Sequence, residues 1–340
     1  MRSLLKTLGT ATLVVGLAAG CATAGSDMKK DGMTKAAEHA KASKKNAGHD
    51  HDYRTFMTGG DIKYGQIGDS YTAELVMYLA GNQFMVMEEL IQDFQKKNPD
   101  IKSIYVETIP PGQILKGQIL KQGQINGQDT AMNPDLFASV RDAHLKKLNK
   151  KGKMKGDHII YTHNKLELMV AKGNPKNIKG AADLGRDDLV QSHPNPKTEG
   201  IFKFYGSEML KDLGIHDKVT GNDTKCRGCW AVEGKTWFTK RHHRETPHRI
   251  ENGKADVGIV WTTEIIEAKR ENRDVEGVAI SDKYNKGDKV GYAIGALKDG
   301  RNQENAQRYL DYLKTDDAQN IYASYGFVKA SADDLKQRPL

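Results

Sequence analysis

The chain has 340 residues, 38% of them hydrophobic and 28% charged, with a formal net charge of +8 and three cysteines. That length accommodates one large or two medium domains, and the apolar share is enough for a buried core, which excludes wholesale disorder. A mean hydropathy of −0.66 excludes a multi-span membrane protein. The longest uncharged, mostly apolar run, Leu8 to Ala19, is shorter than the roughly 20 residues a membrane-spanning helix needs.

The amino end has the pattern of an export signal. Arg2 and Lys6 precede the apolar run Leu8 to Leu17, and the small residues Ala18, Ala19 and Gly20 lead into Cys21. The run Leu17-Ala-Ala-Gly-Cys21 looks like the lipobox of a bacterial lipoprotein, which implies lipidation of Cys21 and removal of residues 1–21. An ordinary signal peptide cut near Ala22–Ala24 is the alternative. Residues 22–65 are rich in Lys, Ala, Gly, Asp and Ser without apolar periodicity, so they read as a flexible tether. At about 5–6 Å × √n the tether reaches roughly 35–40 Å. Gly48-His-Asp-His-Asp52 reads as solvated tail, with weak metal capture as its alternative. Residues 1–65 hold ten Lys/Arg and six Asp/Glu, so half of the net charge lies in the signal and tether. The body keeps only +4, without a long basic run interleaved with aromatics, and nucleic acid is not an expected partner.

Strand and helix patterns then alternate. Glu74 to Ala80 is an apolar strand, and Phe84, Met87, Leu90, Ile91 and Phe94 mark a helix that stops at Asn98-Pro99. A strand over Ile101 to Glu107, a helix from Gln113 to Lys121, a strand over Pro134 to Val140 and a helix from Asp142 to Leu148 follow. Further strands are expected at Glu167 to Ala171, Leu189 to Ser192, Ala255 to Trp261, Val278 to Ile280 and Lys289 to Leu297. Helices are expected at Gly200 to Leu213, Arg249 to Gly253, Thr263 to Asn272, Asn302 to Lys314 and Asp316 to Tyr325. Repeated strand–turn–helix units predict an α/β protein with mixed, mainly parallel sheets flanked by helices.

The order of these segments resembles the type II periplasmic solute-binding proteins, most closely the oxyanion branch around the molybdate-binding proteins. Its carriers are Tyr78-Leu-Ala-Gly-Asn82 leading to Leu90-Ile-Gln-Asp-Phe-Gln-Lys96, then Pro134-Asp-Leu-Phe-Ala-Ser139 and Tyr161 to Val170. Pro194-Asn-Pro196, Gly253 to Val260, and Tyr292 to Leu297 running through Tyr309-Leu-Asp-Tyr-Leu313 to Tyr325-Gly-Phe327 complete it. The resemblance implies a two-lobed fold with the ligand in the cleft between lobes. Lobe one would comprise residues 66–163 plus 292–340, and lobe two residues 164–291. It also implies a monomer that captures a small anion, closes on a hinge and delivers its cargo to the membrane permease of an ABC transporter. Its place would be the periplasm or cell surface, held by a lipid anchor.

Turns at the ends of parallel strands present backbone N–H groups to anions. The candidate ligand-binding residues are therefore Gly81, Asn82 and Gln83 at the first turn and Gly112 and Gln113 at the second. Ser139 and Arg141 end the third strand. Each has a bland alternative, with Asn82 as an N-cap and Ser139 in turn solvation. Close molybdate binders place Ser or Thr at the first two turns; Asn82 and Gln113 instead suit a ligand with both donors and acceptors. In lobe two the resemblance implies Asn195, Thr198 and Glu199, in a loop that matches the family's backbone-donor loop, and Trp261 and Thr262 at a strand end where the family often has an aromatic residue. Trp261 walls a ligand or fills the core.

Arg241 to Arg249 carries three His and three Arg in nine positions. Arg241, His242, His243 and Arg244 could floor an oxyanion site, Arg offering forked donors. His242, His243 and His248 are alternative ligands for a transition metal, and a solvated basic loop is the bland alternative. Cys226 and Cys229 form a C-x-x-C without the strand–helix context of thioredoxin chemistry; a small structural disulfide is expected in an exported protein. No nucleophile–base pair, zinc signature or phosphate loop stands out, so neither an enzyme nor a cofactor is expected. The rival functions are binding of a metal ion or chelate, and a cell-surface redox or sensory role for the Cys pair.

Overall fold

The computed structural model describes residues 73–121 and 133–340 except 224, 241 and 288, and the short strands Gln66–Ile67, Gln124–Ile125 and Gln128–Asp129. The signal, the tether with Cys21, and Arg241 lie outside the described residues. The first strands are β1 (Gln66–Ile67), β2 (Leu75–Ala80), β3 (Ile104–Ile109), the hairpin β4 (Gln124–Ile125) and β5 (Gln128–Asp129), β6 (Leu136–Ser139) and β7 (Asp157–His163). Next are β8 (Leu166–Ala171), β9 (Gln191–His193), β10 (Trp230–Val232), β11 (Thr236–Phe238), β12 (Val257–Trp261) and β13 (Val275–Ala279). Last come β14 (Gly291–Ala296), β15 (Val328–Lys329) and β16 (Arg338–Pro339).

These strands build two main sheets. One has the order β1-β3-β2-β6-β14-β7-β15, with β16 also on β7; the other runs β10-β11-β9-β12-β8-β13. The chain passes from the first sheet to the second between β7 and β8 and returns between β13 and β14. The sheets are mixed, as expected, but parallel pairing is confined to β3-β2-β6 and β11-β9-β12, and antiparallel pairs outnumber it. The cause is the crossing itself: β7 pairs antiparallel with β14 and β8 with β13, because the chain leaves along one strand and returns along its neighbour.

Local chemistry moved several expected boundaries. Glu74 lies just before β2, where its carboxylate accepts the backbone N–H groups of Lys102 (2.7 Å) and Ser103 (3.0 Å), so β3 starts later than Ile101. The helix expected from Gln113 starts at Pro111, since proline suits a first helical position, and continues as a π-helical stretch over Ile114–Ile119. The short helix expected from Arg249 instead spans Glu245–Glu251. Pro247 sits in its first turn, where a missing N–H costs nothing. Cys226 and Cys229 are joined by a disulfide ahead of β10.

Helix Phe84–Lys97 covers the β2–β3 crossover and buries Met87, Leu90, Ile91 and Phe94 of the face read from the sequence, together with Val86, while Phe84 is half-buried. Phe94 meets Tyr309 edge-on at 5.1 Å and Tyr312 at 5.3 Å, which ties it to the carboxy-terminal helix Gln303–Tyr312. Asp135, fully buried before β6, accepts the Val76 N–H (2.8 Å), the Asn302 N–H (2.7 Å) and the Asn302 side-chain amide (3.0 Å). One carboxylate thus holds β2, β6 and the last third of the chain together. Asp135→Ala strips one buried and two part-buried donors of their acceptor and is expected to cost about 2 kcal/mol, read as a lower urea midpoint with an unchanged m-value.

Candidate functional site

The site is built where loops from the two sheets meet. β2 ends in the buried turn Gly81–Gln83, which opens helix Phe84–Lys97. From the second sheet, the segment between β11 and helix Glu245–Glu251 brings His242, His243 and Arg244, all buried. The Arg244 guanidinium donates to the Gly81 carbonyl and lies 4.0 Å from the centre of the Phe84 ring. A Cβ at position 81 would stand 2.6 Å from His242 Nε2 and 3.1 Å from the Ile109 backbone, so glycine is what permits this approach. Two further contacts bridge the sheets: the Tyr205 hydroxyl donates to the Val140 carbonyl (2.8 Å), and a Cβ on Gly112 would lie 3.3 Å from the Thr198 carbonyl oxygen.

His243 is the electrostatic centre. Its Nδ1 lies 2.8 Å from Glu199 Oε2 and its Nε2 lies 2.8 Å from Glu264 Oε1, with all three residues buried. Burial alone would push the imidazole's pKa down, but the carboxylates of Glu264 and Glu199 outweigh it and lift the value to about 9. His243 is therefore an imidazolium at neutral pH. Burial pushes the Glu199 carboxyl up. His242 packs 3.9 Å from the His243 ring centre and is held far below its usual range, by burial first and then by the charges of His243 and Arg244. It is neutral, and its Nδ1 accepts the Arg244 backbone N–H at 3.1 Å. Glu245 fixes the loop by accepting the N–H groups of Lys240 (2.9 Å) and His242 (3.2 Å) and pairing with Arg249 (3.1 Å).

A second feature lies between the same two parts of the chain. A recess of about 240 Å³ is lined by Lys116, His144 and Lys147 with Gly112 and Leu115 on one side, and by Lys197, Thr198, Gly200, Lys203 and Phe204 on the other. No carboxylate lines it, and none of the four lysines pairs with one among the described residues. The Thr198 hydroxyl is buried there without a hydrogen-bond partner. His144, bonded to the Ser139 hydroxyl at 2.9 Å, is pushed down to about 4 by burial and by the charges of Lys203, Lys147, Arg141 and Lys116. Arg141 lies over the Phe204 ring at 4.5 Å.

The sequence candidates divide accordingly. Gly81, Glu199, His242, His243 and Arg244 converge; Gly112, Thr198, Ser139 and Arg141 gather at or beside the recess. Asn82 instead donates to the Tyr292 hydroxyl, which also receives Asn164 at 3.2 Å. Gln83 accepts the Tyr161 and Tyr322 hydroxyls at 2.9 Å each. Gln113 donates its backbone N–H to the Pro110 carbonyl. Asn195 takes the Thr239 hydroxyl as the acceptor for its N–H (2.9 Å) and the Thr239 carbonyl for its side-chain amide (3.0 Å). Trp261 is buried against Tyr205 and Tyr292, and Thr262 donates to the Lys165 carbonyl. The metal trio of His242, His243 and His248 does not form: helix Glu245–Glu251 carries His248 away to Asn252 (3.2 Å), and Glu199 stands in its place. Sequence reading missed Glu264, Lys116, Lys147 and Lys203. Only Glu264 carries a local signal, three residues into the helix that follows Trp261, where it caps the Trp261 N–H at 3.2 Å.

Residues 75–328 match the model of the bacterial extracellular solute-binding proteins. The chain belongs to this family. A Bacillus subtilis protein assigned as an ABC transporter substrate-binding lipoprotein, YvgL, is 25% identical over 244 residues, 71% of this chain and 81% of that protein. The thiosulfate-binding protein of Escherichia coli is 27% identical over 168 residues, covering 48% of this chain and 49% of its own. Among solved structures, the periplasmic molybdate-binding protein of Azotobacter vinelandii superposes with a TM-score of 0.59 at 20% identity, over 76% of this chain and all of that one. The sulfate-binding protein SubI of Mycobacterium tuberculosis gives 0.56 at 18% identity, over 77% and 88%. This solute-binding protein thus has the two-lobed fold of the periplasmic binding proteins, its lobes meeting at Gly81–Arg244 and around the lysine recess. Gly81→Ala is expected to cost about 1–3 kcal/mol by overpacking and to shift the protein toward a more open form. An unchanged melting temperature and small-angle scattering curve would show that the two loops do not need this approach.

Proposed function

We propose that this protein is an exported, lipid-anchored receptor that captures a small, oxyanion-type solute between its lobes and passes it to an ABC-type permease. The carrying observation is the recess with four unpaired lysines, two from each side. Without a ligand these like charges oppose closure. An anion between them turns repulsion into attraction and favours the closed form, which is the differential affinity a binding-driven closure requires. The Thr198 hydroxyl offers a donor that the protein itself leaves unused.

The relatives support this reading, since those named above bind thiosulfate, molybdate and sulfate. The lobes divide as residues 66–163 plus 292–340 and 164–291. Cys21 carries the lipid, as the lipoprotein character of the Bacillus relative supports, and residues 22–65 let the body reach the permease. Capture changes no covalent bond of the cargo, so the protein acts as a monomeric carrier and not as an enzyme.

A panel of sulfate, thiosulfate, molybdate and phosphate should raise the melting temperature of the purified protein for at least one member, less so at high salt. The double variant Lys147→Gln/Lys203→Gln should bind that anion at least tenfold more weakly, about 1.4 kcal/mol, with the ligand-free melting temperature unchanged. Stabilisation by none of these anions, or full affinity in the double variant, would overturn the proposal.

A further inference from the structure

We infer that Glu199, His242 and His243 form a separate inner site for a divalent transition-metal ion, with Glu264 as its outer support. This does not rest on the anion reading, since the lysine recess contributes none of the donors. Each of the three residues offers one ligand atom, and these atoms lie within 4.8 Å of one another. All three are buried, at 3%, 0% and 3% exposure. Two imidazoles and a carboxylate suit borderline cations of the zinc, cobalt and nickel kind better than calcium or magnesium, which prefer all-oxygen sites.

Two observations point to a cation beyond mere proximity. Glu199 Oε1 is buried and makes no hydrogen bond, although its sister oxygen engages His243 Nδ1. An uncompensated carboxylate oxygen away from water is costly, and a metal ion would satisfy it. Glu264 Oε1 lies 2.8 Å from the opposite nitrogen, Nε2. A carboxylate behind an imidazole is the arrangement that orients metal-binding histidines and raises their basicity.

The proton count of loading follows. The dication takes the place of the proton shared by His243 Nδ1 and Glu199 and releases it to solvent. The Nε2 proton stays, facing Glu264 Oε1 across 2.8 Å. His242 is already neutral, and the ion competes for its lone pair with the 3.1 Å bond from the Arg244 backbone N–H. His242 Nε2 abuts the Gly81 turn, so the ion would sit beside the contact between the lobes.

The test uses the full chain, stripped with EDTA and dialysed against Zn²⁺, with metal counted by inductively coupled plasma mass spectrometry and Co²⁺ followed by its visible absorption. One equivalent should bind, with Co²⁺ bands of a low-coordinate nitrogen–oxygen site. Glu199→Gln and His243→Gln should each weaken binding at least 100-fold. His248→Gln, and His49→Ala/His51→Ala in the tail, should leave it unchanged. Should Glu199→Gln or His243→Gln fail to fold, His242→Gln serves in its place, with circular dichroism as the folding check. No stoichiometric uptake by folded wild-type protein would overturn the site and leave a plain carboxylate–imidazolium–carboxylate sandwich. Uptake that survives the folded variants of the inner cluster, or that disappears with the tail histidines, would overturn it as well.

Discussion

A protonated imidazole buried between two carboxylates organises the second lobe. Glu199 comes from the loop after β9, His243 from the loop before helix Glu245–Glu251, and Glu264 from the first turn of the helix that follows β12. No two of them are near in sequence, so the ion cluster holds three loops in one arrangement. Burying such charges is expensive, and a lone member would be left with an uncompensated charge in a medium that screens poorly. The cluster is therefore all or nothing. When it forms, His242 and Arg244 are delivered to one place, and that place is the Gly81 turn of the first lobe.

The two charged features between the lobes differ in kind. Around His243 the positive charge is answered by carboxylates at hydrogen-bonding distance, so a bare oxyanion arriving there would meet Glu199 and Glu264 already in the positions it needs. Around the recess no carboxylate answers the positive charge among the described residues, and His144 beside it is pushed down to about 4, by burial first and then by the neighbouring lysines and Arg141. The proposed anion therefore suits the recess and not the cluster, although the loop carrying Thr198 and Glu199 contributes to both. Composition alone could not draw this distinction, because a net charge says nothing about which cations are paired.

What the sequence made legible was what depends on neighbours along the chain. The helical face of Phe84–Lys97 and the apolar strands β2, β6 and β12 emerge from periodicities within a dozen residues. The order of these units carried the family resemblance. Pairing direction was less visible: β14 returns to sit between β6 and β7 only after the whole second sheet has been made. The amides were the least legible. Asn82, Gln83 and Asn195 have the right chemistry and the right turns for ligand contacts, yet their polar groups engage Tyr292, Tyr161, Tyr322 and Thr239, between 44 and 239 residues away. Lys116, Lys147, Lys197 and Lys203 form no pattern along the chain, and only the closing of one lobe on the other makes them a group.

The segment from Lys240 to Arg249 shows why residue type alone underdetermines role. Arg244 crosses to the first lobe, while Arg249, five residues on, packs over Trp237 at 3.8 Å and pairs with Glu245 inside its own lobe. His243 is charged and His242 beside it is neutral, because carboxylates flank both nitrogens of the first, whereas burial, and then the cations beside it, hold the second down. Glycine at 81 then decides whether this loop reaches its target at all. The segment is best understood as a latch: its own lobe sets its shape, and the first lobe supplies a carbonyl, an aromatic face and the absence of a side chain. A latch of that kind transmits little by itself. Under the proposed anion reading, the energy that selects the closed form would come from an anion bridging the lysines of the two lobes.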